Sequence, residues 1–151
     1  MKFNQLLITT TLFLFSMIIH AQDLAGYWQQ IDDKTGEAKA IIHIKKEANQ
    51  TYSGKIVKIT PRPGYTPKKN CQNCPGPFHD QAILGMQILK DLSARNPQYH
   101  YDYDHGQIID PLSGKIYRAA IKLNDTGNRL TVKAYLNSVH LGRSQTWIRQ
   151  D

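Results

Sequence analysis

Cys71 and Cys74, the only two cysteines, stand in Cys71-Gln72-Asn73-Cys74-Pro75, with His79 and Asp80 close behind. A sulfur pair at that spacing suits several chemistries. A thioredoxin-like dithiol needs the pair at a helix start after a strand in a βαβ unit, and no such unit surrounds it. Covalent haem attachment needs histidine directly after the second cysteine, where this chain carries Pro75. A zinc site drawing on Cys71, Cys74, His79 and Asp80 lacks the second cysteine pair that makes such sites convincing. In an oxidising compartment two cysteines default to a disulfide, and that is the expectation here. Its ring is very small, so it stiffens its own loop and adds little to global stability. A redox or metal site on the same loop is the alternative.

The second set of residues with chemical potential is aromatic. Tyr99-His100-Tyr101-Asp102-Tyr103-Asp104-His105-Gly106 alternates strictly. A strand there puts Tyr99, Tyr101 and Tyr103 on one face and His100, Asp102 and Asp104 on the other. The His-Asp-Asp row has the donors for a cation, but a polar outer face beside a tyrosine inner face is the plainer reading. With Tyr52 and Tyr117, these tyrosines are the candidate lining of a ligand cavity, where hydroxyls on rigid rings suit recognition. No nucleophile–base pair and no carboxylate pair stands at a spacing that implies hydrolysis. The chain therefore reads as a binder more than an enzyme, with no catalytic residue, cofactor or metal assigned.

The elements that must position these residues begin after a leader. Met1–Ala21 opens with Lys2, runs through an apolar stretch short for a membrane span, and ends in Ile19-His20-Ala21 before Gln22. That is the pattern of a secretory signal peptide, cleaved to leave residues 22–151 exported as one domain without a stable membrane anchor. An uncleaved anchor is the rival. The net charge of +7 comes from 19 basic against 12 acidic residues. These are scattered over strands and turns, without the basic helix or aromatic ladder of a nucleic-acid binder, so the charge reads as a solvated surface.

Beyond the leader the chain reads as short strands joined by turns. Gly26–Ile31 opens, Ala40–Ile44 and Thr51–Ile59 follow, and Gly54 within the latter suggests a bulge or corner. Pro61 to Asp80 holds five prolines and both cysteines, which forbids regular structure there. Met86–Leu89 is expected as a strand, with Leu92–Pro97 a loop or helical turn. Tyr99–Gly106, Ile116–Leu123, Leu130–Leu136 and Gln145–Arg149 complete the set. The Asp110-Pro111-Leu112-Ser113-Gly114 turn is the clearest in the chain. Joining the first strand to the last removes both open edges. The expected fold is all-β, a single up-and-down antiparallel barrel of about eight strands, with a sandwich as the competitor.

The chain resembles the bacterial exported family known as domain of unknown function 2147 over nearly all of its length beyond the leader. The resemblance rests on Gly26-x-Trp28 with Asp33-Lys34-Thr35-Gly36, Tyr52-Ser53-Gly54-Lys55-Ile56, and Cys71-x-x-Cys74-Pro75-Gly76. It continues through Ile83-x-Gly85, Gly106-x-Ile108-x-Asp110-Pro111-x-Ser113-Gly114-Lys115-x-Tyr117, and Leu141-Gly142-Arg143-Ser144-Gln145-Thr146-Trp147-x-Arg149. It implies a lipocalin-like barrel in the periplasm or outside the cell, and no established activity. By the same likeness, Gly26, Trp28 and Arg149 become structural, with the guanidinium stacked on the indole to close one barrel end. The resulting expectation is a barrel holding a small, mainly apolar ligand. Beside it stand the redox or metal alternative and an envelope interaction module using the basic surface and proline-rich loop.

Overall fold

β-Branched and aromatic residues on alternating positions make the strands, and Asx–Gly turns end them. In the computed structural model, which describes residues 23–95 and 101–151, eight strands result. These are β1 (Gly26–Ile31), β2 (Ala38–Lys46), β3 (Tyr52–Ile59), β4 (Gln87–Ala94), β5 (Tyr103–Ile109), β6 (Ile116–Leu123), β7 (Arg129–Tyr135) and β8 (Arg143–Gln150). Each pairs antiparallel with its sequence neighbour, and β1 meets β8 through Trp28↔Arg149 and Gln30↔Trp147. The sheet is a closed up-and-down barrel. Met1–Ala21, Tyr99 and His100 lie outside the described residues.

The turns show why local sequence suffices at the strand ends. In Asp32–Gly36 and again in Asp110–Gly114, the aspartate carboxylate accepts from backbone N–H groups of the turn, and the glycine N–H donates to the aspartate carbonyl. Both glycines have positive φ, 73° and 74°. This is Asx chemistry followed by a left-handed residue, and it requires nothing from the rest of the molecule.

Most strand ends fall within two residues of expectation, and two strands depart from it through bulges. β4 runs from Gln87 to Ala94, well past Leu89 and into the segment expected as loop or helical turn. The reason is a bulge. Asp91 has φ 58°, and against β3 the register shifts, with Tyr52 opposite Leu92 but Gly54 opposite Leu89. Leu89 and Leu92 are both fully buried although three residues apart, so the two-residue period is lost. β5 does the same at His105, φ 64°, where Tyr103 faces Ile121 and Gly106 faces Ala119. The strict alternation expected through Gly106 therefore breaks at His105, and Tyr103 and Gly106 are both buried although three residues apart. Gly54, expected at a bulge or corner, has a register shift on either side.

The core fills one end of the barrel. Leu24, Trp28, Ile42, Ile44, Leu92, Ile121 and Trp147 are completely buried there. Burying each such side chain stabilises by roughly 1.5–3 kcal/mol. The long connection from Thr60 to Met86 crosses the outside and is tied down by backbone bonds. Cys71 N–H donates to the Gln81 carbonyl, Ile83 N–H to Lys69, and Gly85 N–H to Ile56. Cys71 and Cys74 form a disulfide, with Cα atoms 5.4 Å apart. Both sulfur residues are buried and belong to the core cluster, as do Ile83 and Met86.

Candidate functional site: one sealed end and one open cup

In an up-and-down barrel the starts of odd strands and the ends of even strands share one rim. At this rim Asp23, Leu24 and Ala25 lie across the barrel, and all three carbonyls are satisfied by side chains. Arg149 donates from Nη2 to Asp23 (2.6 Å) and from Nη1 to Ala25 (3.0 Å), while Trp28 Nε1 donates to Leu24 (2.9 Å). Arg149 Nε also donates to the Gly127 carbonyl in the β6–β7 turn. Its guanidinium stands 4.2 Å from the Trp28 ring centroid. A Cβ at position 26 would lie 2.7 Å from Arg149 Nη1, which is the physical content of glycine two residues before the tryptophan.

Tyr52 and Tyr103 belong to this sealed rim. Tyr52 donates from its hydroxyl to Asp23 Oδ1 at 2.6 Å and meets the Tyr103 ring edge-on at 5.2 Å. Tyr101, half-buried, precedes β5 at the same end. The flanking carboxylates are engaged as well. Asp102 accepts from the Leu123 N–H, and Asp104 accepts from the Tyr135 hydroxyl and from Arg95 Nη1.

Burial, then the bond to the Asp23 carboxylate, pushes the Tyr52 phenol well above its ordinary value. Burial also pushes Asp23 up, but bonds from the Tyr52 hydroxyl and the Ala25 and Leu24 amides, with the Lys46 charge, outweigh it and leave that carboxyl lowered. A raised phenol keeps its proton in the folded state, so its contribution is complete below the unfolded value of about 10 and is lost as pH rises beyond it. Tyr52→Phe is expected to cost about 1 kcal/mol at neutral pH. It should also flatten the fall in urea midpoint between about pH 9.5 and 11.5. An alkaline limb as steep as that of the parent would count against this assignment.

The opposite rim opens into a cavity of about 330 Å³. One wall is apolar, built from Ile56, Ile88, Ile108, Leu112 and Val132. The other carries Gln30, Lys39, Arg143 and Gln145, with Ala134 low between neighbouring strands. Gln30 Nε2 donates to Gln145 Oε1 at 2.7 Å, which fixes both amides against the wall. Tyr117 is the tyrosine candidate that lines this cavity; Tyr52, Tyr101 and Tyr103 do not, and Tyr99 is outside the described residues. Strand direction carries the signal that separates them, because Tyr52 opens an odd strand and Tyr117 lies near the start of an even one. The polar wall was missed because an isolated Gln, Lys or Arg on a strand looks like any solvated residue. A second hollow beside Phe78, of about 20 Å³, has room for no more than a water.

The disulfide loop serves the cup from outside. Gly114 packs against the Asn73 carbonyl and the Cys74 amide, so the loop backs the β5–β6 turn whose Pro111 and Leu112 line the cavity. With both sulfurs bonded to each other, Cys71 and Cys74 offer no thiolate to a metal. His79 is exposed, and Asp80 accepts from Asn70 Nδ2 at 3.1 Å. Among the described residues, no group of three potential metal ligands converges. No helix among them is long and apolar enough to cross a membrane.

A closed barrel of eight antiparallel strands, sealed at one rim and hollow at the other, is lipocalin-like. A solved structure supports that class: the chain is similar to protein HP1028 from the human pathogen Helicobacter pylori, described as belonging to the lipocalin family. The TM-score is 0.68 at 21% identity, over 85% of this chain and 84% of that one. Among curated proteins none matches. Residues 26–149 match the family described as "Uncharacterized protein conserved in bacteria (DUF2147)", and the chain belongs to that family.

Proposed function

We propose that this protein is an exported binding barrel that holds one small, mainly apolar molecule in the open cup. The cavity itself carries the reading: about 330 Å³, walled on one side by branched aliphatic side chains and sealed at its far end by the Trp28–Arg149 plug. Pockets of roughly 300–1,000 Å³ with a mostly apolar lining are the usual size and character of small-molecule sites. Tyr117 is the recognition hydroxyl we assign among the tyrosines. The leader pattern of Met1–Ala21 and the Cys71–Cys74 disulfide are compatible with export to an oxidising compartment.

The neutral fluorophore N-phenyl-1-naphthylamine is expected to bind the purified chain saturably at one site. Ala134→Phe, which puts a ring into the cavity, should weaken that binding at least tenfold while thermal unfolding stays cooperative. Failure of the probe to saturate, or full binding by a folded Ala134→Phe variant, would sink the proposal.

A further inference from the structure

We infer that the ligand of this cup is an amphiphilic carboxylate, with its head on Arg143 and its chain against the aliphatic wall. The inference rests on the binding reading above and adds the ligand's charge and length.

The two walls of the cavity differ in kind. β3 to β5 supply isoleucines, while β1, β2 and β8 supply amides and cations. A wholly apolar ligand would lay hydrocarbon against this polar wall and leave the Arg143 guanidinium at its lip without a partner, which is unfavourable. A ligand with one polar end satisfies both walls.

The sign of that end follows from which charges are already engaged. Lys39 Nζ lies 3.6 Å from Asp32 Oδ2, and Arg62 also approaches that carboxylate, at 3.8 Å. Asp110, the acid in the lining, accepts from the Leu112 N–H at 3.0 Å and from Ser113 Oγ at 2.7 Å, so both its oxygens are held inside the turn. Arg143 has no side-chain hydrogen bond or ion pair among the described residues, yet it lines the cavity. A guanidinium is charged at any physiological pH and offers a planar fork that matches a carboxylate.

The register puts a second donor within the same mouth. Arg143 lies opposite Ala134, and Ala134 lies opposite Ala119, two residues along β6 from Tyr117. Arg143 and Tyr117 thus rise from the strands on either side of β7, and with Ala134 they line the same cavity. The Tyr117 hydroxyl makes no hydrogen bond among the described residues. Guanidinium and phenol together form a two-donor seat at the lip, and Gln145, the next inward residue of β8, is already bonded to Gln30.

Length follows from volume. At about 30 Å³ per water-sized group, the cavity of about 330 Å³ holds roughly eleven non-hydrogen atoms, which suits an acid of about eight or nine carbons.

The test is displacement of N-phenyl-1-naphthylamine from the full chain by octanoate, 1-octanol and octylammonium, all below their micelle concentrations. Octanoate should displace the probe at about tenfold lower concentration than octanol, the gain of a charge-assisted hydrogen bond, and octylammonium should be the weakest. Arg143→Gln is expected to bring the octanoate-to-octanol ratio to about one. Tyr117→Phe should lower it by a smaller factor, and raised salt should weaken octanoate selectively. Equal displacement by octanoate and octanol, tightest binding of octylammonium, or equal losses of octanol and octanoate in Arg143→Gln would overturn the inference while leaving the binding barrel standing. A parent chain that binds neither the probe nor octanol would overturn both.

Discussion

Replacing Arg149 with alanine is expected to lower the free energy of unfolding by about 3 kcal/mol, a large share of the 5–15 kcal/mol typical of such a domain. One side chain holds three backbone carbonyls, of Asp23, Ala25 and Gly127, and stacks at 4.2 Å on Trp28. Truncation leaves those carbonyls to water that must enter beside a fully buried indole. Each charge-assisted bond is worth about 1 kcal/mol net, and the stacking adds roughly 0.5–1 kcal/mol. Arg149→Lys separates charge from geometry. An ammonium cannot lie flat on the indole while reaching three divergent acceptors, so lysine should recover less than half of the loss. Urea unfolding followed by fluorescence of Trp28 and Trp147 reads both variants. A loss below about 1 kcal/mol for Arg149→Ala would show that the Asp23–Ala25 segment is held by Leu24 burial instead.

Gly114→Ala should be comparably damaging, and its control lies within the same chain. Gly36 and Gly114 end turns of the same construction, with φ 73° and 74°. At Gly36 an added Cβ meets nothing within 4 Å, so alanine there pays only the left-handed backbone penalty, about 1 kcal/mol. At Gly114 the same Cβ would lie 1.9 Å from the Asn73 carbonyl oxygen and 2.8 Å from the Cys74 amide nitrogen, so the disulfide loop must move. The expected loss is about 3 kcal/mol, an excess of roughly 2 kcal/mol over Gly36→Ala. Because Pro111 and Leu112 of that turn line the cup, Gly114→Ala should also weaken probe binding several-fold, which Gly36→Ala should leave intact. Equal effects at the two glycines would mean that the loop yields freely and does not support the mouth.

Much of this molecule is legible without coordinates because its information is local. The Asp32–Gly36 and Asp110–Gly114 turns carry their own hydrogen-bond partners within five residues. The alternation of Ala40, Ile42 and Ile44, or of Tyr117, Ala119 and Ile121, gives a two-sided strand by chain geometry alone. Eight such strands with tight connections leave closure as the way to remove the edges.

The bulges at Asp91 and His105 were not legible: Asp and His tolerate positive φ better than most residues, but these two take it only under the hold of the strands beside them. Each bulge also reset which residues share a face, so the alternation read from the sequence as far as Gly106 fails at His105. The division between plug and cup was equally remote. Tyr52, Tyr103, Tyr117 and Arg143 lie far apart in the chain, and their grouping depends on register between strands paired across long separations.

By itself, then, the sequence determined most of the strands, their turns and the closure of Gly26–Ile31 onto Gln145–Arg149, since each depends on period, turn chemistry or edge pairing. The tertiary structure decided which end of the barrel each side chain occupies. Period two assigns a residue to a face and is silent about depth, and depth is what separates the Trp28–Tyr52–Arg149 seal from the Tyr117–Arg143 mouth.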